Sequence, residues 1–282
     1  MTSCAAPTLA ADPVDVLTMR VVFFGDSLTE GTNGASYLRV LAERVRAEQA
    51  LGAVELVNAG VGGDTVVNLL RRMERAVVAQ APDWVVVFIG CNDCMTWQVR
   101  RSLLPAGVAS RRYFRRHKDV REALSPARFR DGLRMLVDAL RERSAARIAL
   151  CTPATIGESL TARPWRRLDR YAEVVRFVAS ERGCDLIDVH AAFAQALASL
   201  PPRPRLAPLR GLRARALPPA NFEAIARARG YRLVYDGLHL THAGADLVAA
   251  TMCAWLRGAA VGARSDVVAC GCSTTVPDSP TG

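Results

Sequence analysis

Five residues of this chain have the types and settings that acyl transfer requires: Ser27, Gly63, Asn92, Asp236 and His239. A neutral serine hydroxyl is a weak nucleophile and needs a base in contact with it. His239 can take the proton of Ser27 and later hand it to the leaving group. Asp236, in the same Asp-Gly-Leu-His stretch, can hold the other imidazole nitrogen and stabilise the imidazolium. The tetrahedral intermediate carries an oxyanion, which needs donors already in place. The backbone N–H groups of Ser27 and Gly63 and the side-chain amide of Asn92 would supply them. A glycine at 63 lets the backbone approach a ligand closely, and Asn92 offers an N–H donor without a charge.

Each residue also has a purely structural reading. Asp26 and Ser27 can cap the next helix. Asn92 can be a turn residue, and Gly63 can simply permit a tight connection. Asp236 and His239 can share a loop hydrogen bond. Asp26 reads as a brace for the loop around Ser27. His242 reads as a cap or packing residue of the last helix, and His117 and His190 have no evident partner. What favours chemistry is that all five sit at ends of predicted elements. In a parallel sheet those ends share one edge.

The elements that must hold these residues follow from apolar patterning. Val21-Val22-Phe23-Phe24 is a buried strand stopped by Gly25, and Ser27 follows it at once. Ser36 can cap a helix through about Ala50, with Tyr37, Leu38, Leu41 and Val45 inward. Val54 to Asn58 is a second strand, followed by the glycine-rich turn Ala59 to Thr65. Asp64 or Thr65 can cap a helix with Val66, Leu69, Leu70, Met73 and Val77 inward. Trp84 to Ile89, an unbroken apolar run, suits a central parallel strand covered on both faces. It ends in Gly90-Cys91-Asn92-Asp93. Further strands are expected at Arg147 to Thr152 and Asp185 to Val189, with a helix around Arg166 to Ser180 between them and a last helix over about His242 to Leu256. Strands alternating with amphipathic helices give a doubly wound α/β domain with a parallel sheet.

One domain over residues 19–258 accounts for the pattern. Residues 1–18 read as a flexible extension and 259–282 as a disordered tail. Two stretches interrupt the alternation. Residues 97–130 hold the basic run Arg111-Arg112-Tyr113-Phe114-Arg115-Arg116-His117-Lys118, and residues 201–219 are rich in Pro and Arg. Both read as insertions over the edge or rim of the sheet: solvated helix face or loop in one reading, lid or anion site in the other.

The formal charge of +10 invites a nucleic-acid role. It is discounted because Lys118 is the only lysine and no nucleic-acid motif accompanies the arginines. Cys91-x-x-Cys94 could be a redox or metal pair, but no second pair or nearby histidine completes a zinc site. The glycines at 60, 62 and 63 do not have dinucleotide spacing. No cofactor and no metal are therefore expected. Asp12 and Asp15 interrupt the region where a signal peptide would be apolar, and no run is long enough to span a membrane. A cytoplasmic protein acting on a small-molecule ester or acyl substrate is expected.

Gly25-Asp26-Ser27-Leu28-Thr29, Asn58 to Thr65, Gly90-Cys91-Asn92-Asp93 and Asp236-Gly237-Leu238-His239 together resemble the blocks of the SGNH (GDSL) hydrolase family, in family order. The resemblance covers roughly Met19 to Leu256. It implies a flavodoxin-like three-layer α/β/α sandwich and a metal-independent esterase or lipase-type activity. It also implies Ser27 as nucleophile, His239 as base, Asp236 as acid, and Ser27, Gly63 and Asn92 as oxyanion hole. An O-acyltransferase using the same site, or a flavodoxin-like module binding phosphate, are the competing readings. The basic insertion hints at an anionic acyl donor.

Overall fold

The structure is a computed structural model describing residues 18–48, 51–200 and 221–270, with side chains described through 259. Nearly all of the expected N-terminal extension, the Pro/Arg-rich stretch and the chain beyond Cys270 lie outside the described residues.

Five strands form one parallel sheet: β1 (Met19–Gly25), β2 (Val54–Gly60), β3 (Trp84–Phe88), β4 (Arg147–Cys151) and β5 (Asp185–Ile187). Their order is β2-β1-β3-β4-β5, with every ladder parallel. This is the flavodoxin-like order, and the sheet with its helices is the expected α/β fold. The helices are α1 (Ser27–Glu30), α2 (Tyr37–Ala47), α3 (Val66–Ala76), α4 (Cys91–Val99), α5 (Pro105–His117), α6 (Pro126–Arg143), α7 (Arg163–Arg182), α8 (Val189–Ser199), α9 (Phe222–Arg229) and α10 (His242–Cys270). One layer joins α2, α8 and α10; the other joins α3, α6 and α7.

The apolar runs of β1 and β3 are buried throughout because helices cover both faces. Phe23 and Phe88 each meet Tyr37 edge-on, at 6.3 and 5.8 Å between ring centres. These contacts lock α2 onto the sheet beside the end of β1. Ser36 caps α2 through the N–H of Arg39 at 3.4 Å, and Tyr37, Leu38, Leu41 and Val45 are its buried face. At the start of α3, Thr65 N–H donates to Asn68 Oδ1 at 3.0 Å, and Val66, Leu69 and Met73 face inward.

One expectation is corrected. The last helix does not end near Leu256 with a disordered tail from 259, but continues to Cys270. No proline interrupts this segment, so every residue keeps the backbone N–H that helical bonding needs. The basic insertion forms the end of α4, all of α5 and the start of α6, as the helix-face reading allowed. Pro105 opens α5, where a missing N–H costs nothing. No helix among the described residues is long and apolar enough to cross a membrane.

Candidate active site

Ser27, Gly63 and Asn92 follow the carboxyl ends of β1, β2 and β3, where the chain winds away to opposite sides of β1. In open α/β sheets this switch point forms a crevice. Ser27 begins α1, and Asp26 caps that helix by accepting the N–H of Leu28 at 3.0 Å. The capping role therefore falls to Asp26 rather than to the Ser27 hydroxyl.

His239 reaches the serine from the loop before α10. Its Nε2 lies 3.1 Å from Ser27 Oγ, and its Nδ1 lies 2.7 Å from Asp236 Oδ2. The carboxylate fixes the tautomer: Nδ1–H donates to Asp236, so Nε2 can accept the serine proton. Asp236 Oδ1 accepts the N–H groups of Leu238 and His239, each at 2.9 Å. Burial acts against charge on Asp236, yet the hydrogen bond from His239 and these N–H groups hold its carboxyl below the usual range. It stays an anion facing the imidazole.

Gly63 adopts φ +78°, in the left-handed region that favours glycine. A Cβ there would stand 2.4 Å from the Tyr113 hydroxyl and 2.9 Å from Lys118 Cε. The N–H groups of Ser27 and Gly63 find no acceptor among the described residues. Asn92 differs: its Nδ2 donates to Asp26 Oδ2 at 3.2 Å and to the carbonyl of Asp64 at 3.0 Å. The structure therefore brings all five expected residues to one edge of the sheet, with the amide hydrogens of Asn92 engaged by the protein.

Residues 23–247 match the GDSL-like lipase/acylhydrolase family. The chain belongs to this family. An acetylxylan esterase of Geobacillus stearothermophilus is 32% identical over 197 residues, covering 65% of this chain and 81% of the esterase. A solved acetylxylan esterase from that organism shares the fold at a TM-score of 0.60 and 24% identity, covering 84% of this chain and 94% of its own. A further acetyl xylan esterase structure, AlAXEase, gives 0.56 at 24% identity over 83% and 98%. This GDSL-like protein is a carboxylic ester hydrolase of the SGNH type.

Several residues that build the hydrolase site escaped the sequence reading. Asp64 is buried between two cations, Arg72 Nε at 2.7 Å and Lys118 Nζ at 2.9 Å. Arg72 also donates to the carbonyls of Ala59 and Gly25, each at 2.9 Å, tying together the ends of β2 and β1. Lys118 anchors the end of α5, so that Tyr113 overhangs Gly63. The basic insertion thus reaches the site through its one lysine. That this lysine stands alone among 37 basic residues was the available signal.

Glu158 is a further such residue. It is buried in the loop between β4 and α7, and its Oε1 accepts the N–H groups of Arg232, Leu233 and Val234 at 2.8, 2.6 and 2.9 Å. Nearby, Gly157 N–H donates to the carbonyl of Gly237 at 2.6 Å. The loop presenting Asp236 and His239 to Ser27 therefore rests on this carboxylate. Glu158→Gln keeps the size but turns an N–H₂ group toward other donors. It is expected to lower kcat about 10- to 100-fold while KM changes little, because small misplacements of reacting groups have effects of that size. Steady-state kinetics on a soluble ester, with circular dichroism to verify the fold, tests this.

Two buried acids flank Asn92. Burial pushes the Asp26 carboxyl up to about 7 and the Asp93 carboxyl up to about 8. Asp93 Oδ1 accepts the N–H of Val66 at 3.0 Å, while Oδ2 is buried with no hydrogen-bond partner among the described residues. A group whose pKa rises on folding binds its proton more tightly in the native state. Its burial therefore costs stability increasingly as pH climbs from the unfolded value near 4 to about 8. Asp93→Asn keeps the acceptor for Val66 and removes the titration. It is expected to raise Tm by at least about 2 °C at pH 8 and by far less at pH 4, measured by calorimetry. An equal shift at both values would place the cause elsewhere.

Cys91 and Cys94 are buried free thiols, and burial pushes both up, Cys94 to about 12. No cluster of three or more metal-binding side chains occurs among the described residues. His190 does have partners: Asp169 Oδ1 at 2.7 Å and the carbonyl of Ala154 at 3.0 Å. It also stacks on Trp165. His242 pairs with Glu223 at 2.9 Å, and the ring of His117 lies 5.4 Å from that of Tyr113.

Proposed function

We propose that this hydrolase is a serine esterase that removes small acyl groups, acetyl foremost, from carbohydrate hydroxyls. The observation that carries the reading is the continuous relay Asp236–His239–Ser27, at 2.7 and 3.1 Å. Ser27 Oγ attacks the ester carbonyl as His239 Nε2 takes its proton. The carbonyl oxygen becomes an oxyanion, stabilised by the N–H groups of Ser27 and Gly63 with help from Asn92. Collapse expels the alkoxide, which His239 protonates, and leaves an acyl group on Ser27. Water, deprotonated by His239, then releases the acid. Asp236 keeps the imidazole in the required tautomer and balances its transient charge. The acetylxylan esterase relative, matched over most of its own length, supports acetylated sugars as the substrate class.

The test follows acetate release from acetylated xylooligosaccharides beside hydrolysis of p-nitrophenyl esters from acetate to long chains. Turnover of the acetylated sugar, and a preference for acetate among the simple esters, are expected. Rapid long-chain hydrolysis without deacetylation of the sugar would sink the carbohydrate reading and retain the serine mechanism.

A further inference from the structure

A cavity of about 410 Å³ lies between α4, α5 and the α5–α6 connection. None of Ser27, Gly63, Asn92 or His239 lines it. Its residues Val108, Arg111, Arg112 and Arg115 recur at helical spacing along one flank of α5, whereas Tyr113 and Lys118 of the same segment turn toward Gly63 and Asp64. The cavity and the catalytic crevice therefore occupy different sides of one helix.

The lining is strongly unbalanced in charge. Arg100, Arg111, Arg112, Arg115 and Arg121 face one acid, Glu122, which is itself paired with Arg128; Arg121 pairs with Asp119 at 3.2 Å. Arg111 is held in place by its Nη1, which donates to the carbonyls of Val99 and Ser102 at 2.7 and 2.5 Å. Arg100 lies 3.6 Å over the Trp97 ring. Arg112 and Arg115 form no hydrogen bond or ion pair among the described residues. Arg112 and Arg115 beside Arg100 and Arg111 leave more positive charge than the neighbouring acids offset, and an anion relieves it. Their forked donors match carboxylate, phosphate or sulfate oxygens. The floor is different in character, with Phe114 and Val120 buried and apolar. A small hydrated ion would leave that floor uncovered; an organic anion would cover it.

We infer that this cavity is a second ligand site, separate from the catalytic crevice, for an organic anion carrying an apolar body. Calorimetric titration of the whole chain with monomeric octyl phosphate tests it. One saturable site is expected, with affinity falling as salt rises. Inorganic phosphate and neutral octyl glucoside should each bind at least about tenfold more weakly, since each lacks half of the recognition. Arg112→Gln with Arg115→Gln should weaken octyl phosphate by at least about tenfold. Val108→Trp, which fills the cavity and leaves every charge in place, should do the same. Ser27→Ala should not. Circular dichroism and Tm report the fold of each variant. The inference is overturned by unaltered binding in the folded arginine variant, or by inorganic phosphate binding as tightly as octyl phosphate. Absence of saturable binding overturns it too, as does binding seen only on phosphatidylglycerol vesicles, which would mark a surface patch.

Discussion

Ser27→Ala is expected to lower kcat on p-nitrophenyl acetate on the order of 10⁶-fold, the loss known from serine hydrolases that use the same constellation. The fold should survive. Ser27 Oγ has one described partner, His239 Nε2, and loss of one hydrogen bond is worth about 1 kcal/mol, a shift of roughly 2–4 °C in Tm for a domain of this size. His239→Ala should give a similar kinetic loss. The double variant should be scarcely worse than either single one, because nucleophile and base act as a unit. Asp236→Asn should cost about 10⁴-fold, since the imidazole then loses the partner that fixes its tautomer. Additive losses, or more than about 1% residual activity in Ser27→Ala, would exclude the serine mechanism.

The constellation was legible in sequence because each member is local punctuation on a strong apolar pattern. Val21 to Phe24 and Trp84 to Ile89 can only be buried strands, and parallel topology then carries Ser27 and Asn92 to the same edge. Asp236 and His239 are close in sequence, so their contact needs no fold to suggest it. Glu158 was not legible. Its partners are backbone N–H groups 74 to 76 residues away, and backbone donors leave no trace in residue type. The salt bridge between Asp64 and Lys118 spans 54 positions and is equally silent. Helix α5 was hidden differently. Its arginines mask the apolar stripe, and only Pro105 and the buried Phe114 mark it. The continuation of α10 was missed because small residues fit a polar tail as readily as a helix.

Asn92→Ala is the variant in which two readings of one residue part most sharply. As an oxyanion donor, Asn92 would stabilise the transition state more than the bound ester, and its loss should lower kcat about 10²- to 10³-fold with KM little changed. Yet both hydrogens of its amide are already directed at protein oxygens, Asp26 Oδ2 and the Asp64 carbonyl. The contact with Asp26 is the looser, at 3.2 Å against 3.0 Å. Burial raises the Asp26 carboxyl to about 7, so near neutral pH it is poised to lose its charge and weaken as an acceptor. The oxyanion, a full charge in a water-poor crevice, then competes for the same hydrogen. On this account Asn92→Ala loses kcat across the whole pH range. In wild type, Asp26 passes into its carboxylate form above about pH 7 and holds the amide more firmly, so the oxyanion contribution should shrink there. The ratio of wild-type to Asn92→Ala kcat is thus expected to be larger at pH 6 than at pH 9. If Asn92 only braces Asp26 and Asp64, the variant should instead melt lower, keep kcat within about tenfold of wild type, and show a ratio independent of pH. Measuring kcat and Tm together at both pH values separates donation to the oxyanion from support of the loops that surround it.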